Sequence, residues 1–198
     1  MLAKIMNFIK VEHTIFSLPL IFAGAYLGAN RHIPTLHLLV LIMLAGVGAR
    51  VFGMSMNRIL DRKIDAMNQR TSMRELPSGK LSLANAVIVA FSGFAVYMTA
   101  CFLLGPFILM LSWIPAVILS TYSLLKRFTW LCHYGIGIAL GSSPLGAFVA
   151  VRGDLNFTPE ILLLTGFTVF WMSGYDIIYA LQDIAFDKAN NVYSIPAR

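Results

Sequence analysis

Long apolar runs separated by short polar breaks dominate the sequence. Each run is close to the roughly 20 residues that an α-helix needs to cross a hydrocarbon layer of about 30 Å. The breaks contain turn residues or charges, as at Gly105-Pro106 and Lys126-Arg127. The pattern predicts six spans, at residues 11–29, 36–58, 82–104, 106–125, 131–151 and 159–182. We therefore predict an all-α fold, a polytopic transmembrane helical bundle.

Composition agrees with this prediction. Hydrophobic residues make up 58% of the chain and charged residues 12%, whereas about a quarter of the residues in soluble domains are charged. The 198 residues suffice for several spans with short loops, so we interpret residues 1–198 as one membrane domain. Lys4 and Lys10 precede the first apolar run, but no small-residue cleavage site follows it. We expect this run to be a retained helix and not a signal peptide.

The basic residues predict the orientation of the bundle. With the N-terminus inside, six crossings leave only Arg31 and Arg152 of the 15 Lys and Arg residues on the outer side. The positive-inside rule favours that arrangement. We expect an integral protein of a bacterial or archaeal inner membrane, with the loops after the second and sixth spans facing the cytoplasm. Most of the basic residues behind the net charge of +6 lie at the ends of apolar runs, so we do not expect nucleic-acid binding. We infer no obligate protein partner.

A first acidic motif, NRILDRKID, follows the second span. Asn57, Asp61 and Asp65 recur every four residues, and Arg50 lies seven positions before Asn57. At about 100° per residue, these four side chains share one helix face. Oxygen ligands on one face can hold Mg²⁺, which usually takes one or two carboxylates together with water and phosphate oxygens. The alternative is a helix end that exposes ordinary polar residues to water.

A second acidic motif, DIIYALQDIAFD, lies at the end of the sixth span. Asp176, Tyr179, Asp183 and Asp187 share a face by the same arithmetic. Ionisable residues near a membrane-embedded helix end are functional candidates, because they are costly unless they pair, line water or bind an ion. If the two motif helices face each other, four or five carboxylates converge, and a divalent metal is their natural counter-charge.

Basic residues near the two motifs complete a candidate phosphate site, because Mg²⁺, Arg and Lys together bind phosphate oxygens. These residues are Arg58, Arg62, Lys63, Arg70, Arg74, Lys126 and Arg127. Each of these residues, taken alone, is also explained by the positive-inside rule for cytoplasmic loops. His133 is a candidate for a polar role near the site. The sequence contains no H-x-x-x-H pair, no Cys cluster and no Gly-lysine phosphate loop, which argues against zinc, haem and nucleotide-hydrolysing sites.

Together these motifs resemble the UbiA family of membrane prenyltransferases, and most closely its 4-hydroxybenzoate polyprenyltransferase branch. Residues 50–65 resemble the family's R-x-x-G-M-x-x-N-R-x-x-D-R-x-I-D pattern, and residues 68–79 resemble its basic loop ending in Pro-x-Gly. Residues 122–133 resemble its Tyr, Lys-Arg, Thr, His segment. The second motif resembles D-x-x-Y-x-x-x-D-x-x-x-D. The likeness covers nearly the whole chain in the expected order.

The resemblance implies a ring of helices around a cavity, in which Mg²⁺ holds the diphosphate of a polyprenyl donor. It implies transfer of the polyprenyl group to a small aromatic acid, 4-hydroxybenzoate, in quinone biosynthesis. The implied metal or diphosphate ligands, among which the four aspartates are the catalytic candidates, are Asn57, Asp61, Asp65, Asp183 and Asp187. The implied substrate-binding residues are Arg50, Arg58, Arg62, Lys126, Arg127, Asp176 and Tyr179, with Arg50 oriented toward the acceptor carboxylate.

One departure from the family pattern concerns length. Family members usually have nine transmembrane helices, and this chain stops just after the sixth predicted span, so we expect the last three helices to be absent. Other readings are a different acceptor (naphthoate, haem, a chlorophyll precursor or a glycerol-phosphate lipid) and an inactive truncated remnant. A transporter or channel that binds cations through the same carboxylates is a further alternative, but it gives no role to the basic cluster.

Overall fold

The structure, a computed structural model, describes residues 2–10 and 12–198. Helices joined by short loops and turns account for it, and no strand occurs within those residues. The α-helices are α1 (Leu2–Ile9), α2 (Glu12–Gly28), α3 (Leu36–Met67), α4 (Leu83–Leu104), α5 (Pro106–Thr121), α6 (Cys132–Arg152), α7 (Pro159–Ala180) and α8 (Ile184–Ala189). Two 3₁₀ segments, Tyr122–Arg127 and Leu181–Asp183, follow α5 and α7. The predicted all-α class is confirmed.

Five helical stretches of the described chain are long and apolar enough to cross a membrane. They are Leu36–Met67, Leu83–Leu104, Pro106–Arg127, Cys132–Arg152 and Pro159–Ala189. Only 17% to 44% of each apolar window is buried inside the protein. Large side chains such as Phe91, Leu103 and Phe170 are more than half exposed. So much exposed apolar surface requires a lipid surrounding, and the chain is an integral membrane protein.

The first predicted span, residues 11–29, coincides with α2. This helix has 17 residues, and its described apolar part, Ser17–Gly28, is shorter than the other five spans. Helix α2 packs closely against α6: a β-carbon on Gly28 would lie only 2.7 Å from the carbonyl oxygen of Phe148. Glycine therefore permits the two backbones to approach each other, as small residues do between membrane helices.

Helix α3 extends nine residues beyond the predicted end of the second span at residue 58. The apolar pattern marks the hydrocarbon-crossing part of a helix, whereas the polar residues after it still recur at helical spacing and continue the same helix to Met67. The first acidic motif is therefore entirely helical. Helix α4 lies along α3, and a β-carbon on Gly93 would lie 2.7 Å from the backbone nitrogen of Phe52.

The second acidic motif does not lie on one continuous helix, and this part of the prediction is wrong. Helix α7 ends at Ala180, the 3₁₀ segment Leu181–Asp183 follows, and α8 begins at Ile184. A 3₁₀ turn advances 120° per residue instead of 100°, so the spacing of four no longer returns to one face. The remaining predicted span boundaries agree with the structure to within a few residues.

A cavity of about 480 Å³ lies inside the bundle, between α2, α3, α4, α5 and α6. Its lining is almost entirely apolar, and Arg50 and Tyr122 are among its few polar side chains. Along α3 the lining runs from Ile42 to Met54. At 1.5 Å per residue, Met54 precedes Asp61 by about 10 Å, or two helical turns. The apolar cavity therefore approaches the end of the bundle that carries the first motif.

Candidate active site

Asp61 is the most deeply buried carboxylate of the first motif, with 1% of its surface exposed. The amide of Asn57, one turn earlier on α3, donates to Asp61 Oδ2 at 3.2 Å. Lys126 Nζ lies 2.7 Å from the same oxygen. The 3₁₀ turn after α5 brings Lys126 to this position, so the basic pair that follows the fourth predicted span faces the first motif.

Asp65, one turn further along α3, pairs with a cation from the loop that follows. Arg74 Nη1 donates to both carboxylate oxygens, at 2.8 and 2.9 Å. The hydroxyl of Thr71 donates to the backbone carbonyl of Asp65 at 2.9 Å, which fixes the loop against the end of α3. The loop after α3 thus turns back onto the motif that precedes it.

The same loop connects the two acidic motifs. Asn68 Nδ2 donates to Asp183 Oδ1 at 2.8 Å, and Arg70 Nε donates to that oxygen at 2.9 Å. Arg70 Nη2 also pairs with Asp183 Oδ2, so the guanidinium binds the carboxylate with both edges of its fork. The hydrogen bond to Asp183 raises the pKa of Arg70 above its ordinary value.

The other two carboxylates of the second motif are held by a histidine and a serine. Asp176 Oδ2 lies 2.7 Å from His133 Nδ1, and the backbone N–H of Ile195 donates to His133 Nε2 at 3.2 Å. Because Nε2 accepts a hydrogen bond, we assign the ring proton to Nδ1, which donates to Asp176. Asp187 Oδ2 accepts a hydrogen bond from the hydroxyl of Ser194 at 2.7 Å.

The remaining predicted site residues lie around this cluster with looser contacts. Arg127 Nη2 is 4.0 Å from Asp61 Oδ1 and donates to the Leu60 carbonyl at 2.7 Å. Arg62 donates to a carbonyl of its own helix.

Arg58 is buried, and its Nε and Nη1 have no hydrogen-bond partner in the described part of the chain. The half-exposed ring of Tyr179 packs against Tyr175, and Arg50 lines the cavity.

Sequence reasoning did not select Asn68 or Ser194 as site residues. It includes Arg70 and Arg74 in the basic cluster of the candidate phosphate site, but nothing in their spacing shows which carboxylate each one reaches. The closeness of a polar loop to the first motif was the available signal. Ser194 gave no such signal, since its contact depends on how the chain turns after α8.

Within residues 2–10 and 12–198, no three His, Cys, Asp or Glu side chains are arranged to hold a metal ion. In this structure Lys126, Arg74 and Arg70 bind Asp61, Asp65 and Asp183, and the shared metal site of the two motifs stays a prediction. The donor chemistry nevertheless fits Mg²⁺. Asp61 Oδ1 is a buried carboxylate oxygen without a hydrogen bond, and Mg²⁺ needs only one or two carboxylates when phosphate oxygens and water complete its shell.

The fold and this cluster define a class of protein: a helical membrane protein with two acidic motifs and matching cations at one end of its bundle. The family model described as the UbiA prenyltransferase family matches residues 17–198. The chain therefore belongs to the UbiA prenyltransferase family.

Individual relatives agree with that assignment. The chain is 33% identical over 155 residues to a 4-hydroxybenzoate octaprenyltransferase from Aliivibrio salmonicida, and the match covers 76% of this chain and 52% of the relative. It thus spans about half the length of this curated relative.

Solved structures show the same fold. A UbiA homolog from Aeropyrum pernix K1, determined in its apo form, superimposes with a TM-score of 0.86 at 40% identity, covering 94% of this chain and 69% of that one. A UbiA homolog from Archaeoglobus fulgidus, bound to GPP and Mg²⁺, superimposes with a TM-score of 0.70 at 21% identity. That match covers 98% of this chain and 68% of the other.

Proposed function

We propose that this protein transfers a polyprenyl group from a polyprenyl diphosphate to 4-hydroxybenzoate in the membrane. The observation that carries the proposal is the meeting of the two acidic motifs. Asp183, in the 3₁₀ segment after α7, binds Asn68 and Arg70 from the loop after α3, next to the pairs that hold Asp61 and Asp65. Carboxylates and phosphate-binding cations are therefore interleaved in one cluster, close to an apolar cavity.

The cluster is suited to a diphosphate bound together with Mg²⁺. Lys126, Arg70 and Arg74 now neutralise three carboxylates. We propose that, when Mg²⁺ and the donor bind, the carboxylates turn to the metal and the three cations turn to the phosphate oxygens. Bound Mg²⁺ would stabilise the departing diphosphate and so assist cleavage of the allylic C–O bond. The Archaeoglobus fulgidus homolog bound to GPP and Mg²⁺ supports this assignment.

Further residues contribute to this proposed donor site. Asn57 holds the carboxylate of Asp61, and the unpartnered buried nitrogens of Arg58 offer donors to an anion. We propose that Arg62 and Arg127 add positive charge at the same end of the bundle. Asp176 and Tyr179 support the second motif from the last turns of α7.

The cavity would hold the apolar part of the donor and the acceptor ring. Its lining excludes water from the allylic carbon, which becomes cationic as the C–O bond breaks, so that the ring carbon beside the phenol can attack instead. That ring carbon then loses its proton to the released diphosphate, which restores the aromatic ring. Arg50 lies in this lining, where its guanidinium would orient the carboxylate of an aromatic acid. The name of the Aliivibrio salmonicida relative supports 4-hydroxybenzoate as that acid.

We propose that the cluster faces the cytoplasm of a bacterial or archaeal inner membrane. All of its cations belong to loops or helix ends on one side, whereas Arg31 and Arg152 lie at the other. Short cytoplasmic loops carry the excess of Lys and Arg in membrane proteins. A reporter fused after Lys80 should therefore be active on the inner side, and an outer location would contradict this orientation.

Transfer from a labelled polyprenyl diphosphate to a panel of acceptors, in membranes that contain the protein, tests the function. We expect Mg²⁺-dependent labelling of 4-hydroxybenzoate and a loss of at least about 100-fold in Asp61→Ala and Asp183→Ala, as when groups that stabilise a transition state are removed. Asp154→Ala is the matched control, since Asp154 pairs with Arg152 at the opposite end of the bundle. Unchanged turnover in both site variants would contradict the proposal, and labelling of another acceptor would correct the substrate.

A further inference from the structure

The chain turns back after α8 and crosses the end of the bundle that carries the cluster. Residues 190–195, here called the return segment, begin with a left-handed turn at Asn191, which has a φ of 53°. Asparagine tolerates that conformation better than most residues. The backbone N–H of Val192 then donates to the carbonyl of Asp187 at 3.0 Å. The turn directs the following residues toward α6 and the 3₁₀ turn after α5.

Two backbone contacts fix the return segment to the basic 3₁₀ turn and to α6. The N–H of Tyr193 donates to the carbonyl of Lys126 at 2.8 Å, so the segment contacts the residue whose side chain holds Asp61. The N–H of Ile195 donates to His133 Nε2. His133 is 3% exposed and also binds Asp176, so one buried ring connects α6, α7 and the return segment.

Between these two contacts lies Ser194, which is 5% exposed. Its hydroxyl donates to Asp187 Oδ2 at 2.7 Å. The two residues are seven positions apart and are both buried, so the contact requires the return segment to keep its position. A hydroxyl that donates to one carboxylate oxygen restricts rotation of the carboxylate and leaves the other oxygen to accept from another partner.

Asp187 differs from the three carboxylates that pair with Lys126, Arg74 and Arg70. In the described part of the chain it has no basic nitrogen within 4.0 Å. A cation does not have to leave before this carboxylate can bind a metal. By contrast, both oxygens of Asp65 and both oxygens of Asp183 are bound to an arginine, and Asp61 offers only Oδ1, because its Oδ2 is bound to Lys126. The orientation of Asp187 is therefore set by Ser194 and not by a cation.

We propose that Ser194 is a positioning residue for metal binding: it orients Asp187 toward the metal–diphosphate complex, and His133 holds the return segment in place for this purpose. The inference rests on the proposed function, because it assigns a role within the same site. Carboxylates that bind metals are commonly held by hydrogen bonds from neighbouring groups, and loss of such a partner weakens metal binding by about 10–100-fold.

Mn²⁺ binding tests the inference without depending on turnover. The detergent-purified protein is titrated with Mn²⁺ in the presence of inorganic diphosphate, and bound ion is followed by electron paramagnetic resonance. We expect Ser194→Ala to raise the Mn²⁺ concentration for half-saturation about tenfold. His133→Leu, which cannot hold Ile195 or Asp176, should weaken binding in the same direction. In the transfer assay, Ser194→Ala should raise the Mg²⁺ requirement while the KM for the acceptor stays constant.

Two further variants separate positioning from packing. Ser194→Cys nearly conserves the volume of the side chain, but its thiol is a weak hydrogen-bond donor, so it should also weaken Mn²⁺ binding. If the alanine variant does not fold, the cysteine variant provides the test. Ser120→Ala is the matched control, because the Ser120 hydroxyl donates to a carbonyl of its own helix, α5, and it should bind Mn²⁺ as the parent does.

The outcomes distinguish this inference from the proposed function. If the parent protein binds Mn²⁺ and the Ser194 variants bind it equally well, the positioning role is wrong while the proposed function stands. If the parent protein binds no Mn²⁺ with diphosphate, the proposed function itself fails, and the role of Ser194 fails with it.

Discussion

The two acidic motifs are alike in sequence and differ in structure. The first lies on one uninterrupted helix, and Asp61 and Asp65 each meet a cation supplied by another segment. The second is interrupted by a 3₁₀ turn. Asp183 in it meets an arginine, whereas Asp176 and Asp187 are held by the side chains of His133 and Ser194.

The difference shows that equal spacing does not give equal environments. On the straight end of α3, a spacing of four places the carboxylates in one row, where Lys126 and Arg74 approach from two different loops. At the end of α7, the 3₁₀ segment Leu181–Asp183 separates Asp187 from Asp176, and the three carboxylates have three different partners. We infer that the first motif is a site stabilised by charge pairs, and that the second depends on the segments around it for its geometry.

The largest expected effect is a loss of turnover when a carboxylate that pairs with a cation is replaced by an amide of the same size, in either motif. Asp65→Asn and Asp183→Asn preserve volume and some hydrogen bonding but remove a negative charge that would hold Mg²⁺. We expect each to lower the rate of polyprenyl transfer at least about 100-fold. Rates measured in membranes with equal amounts of each variant check this. A large loss in only one of the two would show that the motifs do not act together.

A second prediction breaks the charge pair of the first motif from its basic side. Lys126→Met leaves the nearly inaccessible carboxylate of Asp61 without its nearest cation. Removing one partner of a buried pair costs about 3–5 kcal/mol. Because Asn57 still donates to Asp61 and Lys126 is partly exposed, we expect about 2 kcal/mol, or a fall of about 4–8 °C in the Tm of the purified protein.

The matched control for Lys126→Met removes both charges. In the double variant Asp61→Asn with Lys126→Met, no buried carboxylate is left unpaired, so most of the lost Tm should return. A double variant that is less stable than Lys126→Met alone would mean that packing of the lysine stem, and not the charge pair, is what α3 requires.

The sequence predicted the helices and the motif residues because both depend on local patterns. Apolar runs of about 20 residues identify spans, and Asn57, Asp61 and Asp65 continue the helical period of α3. The 3₁₀ segment Leu181–Asp183 could not be predicted, since it contains neither glycine nor proline and interrupts an otherwise helical period.

Local sequence patterns also could not predict which residues pair with the carboxylates. Arg70 and Arg74 are four residues apart, yet Arg70 binds Asp183 in the 3₁₀ segment after α7, whereas Arg74 binds Asp65 at the end of α3. The path of the loop after α3, and not the spacing of its arginines, decides this. The position of Ser194 likewise depends on the turn at Asn191 and on the contact between His133 and Ile195.

A third prediction concerns the connection between the motifs. Arg70→Lys keeps the positive charge but cannot bind both oxygens of Asp183 with a planar fork. Because Arg70 is about one-third exposed, we expect a loss of only about 1 kcal/mol in stability but a clear rise in the KM for the polyprenyl diphosphate. Arg70→Ala should raise that KM further. Equal values for the lysine variant and the parent would show that charge alone connects the two motifs.

The smallest expected effect distinguishes the two neighbouring cations of the 3₁₀ turn after α5. Arg127 lies 4.0 Å from Asp61 Oδ1 and donates mainly to the carbonyl of Leu60, whereas Lys126 contacts the carboxylate directly. Arg127→Ala should therefore lower stability by about 0.5 kcal/mol or less, which corresponds to a Tm change of about 2 °C at most. If Arg127→Ala instead destabilises the protein as much as Lys126→Met does, Asp61 depends on both cations equally. The contrast between a first motif paired directly with cations and a second motif held mainly by His133 and Ser194 would then need revision, because long-range charge would stabilise the first motif as well.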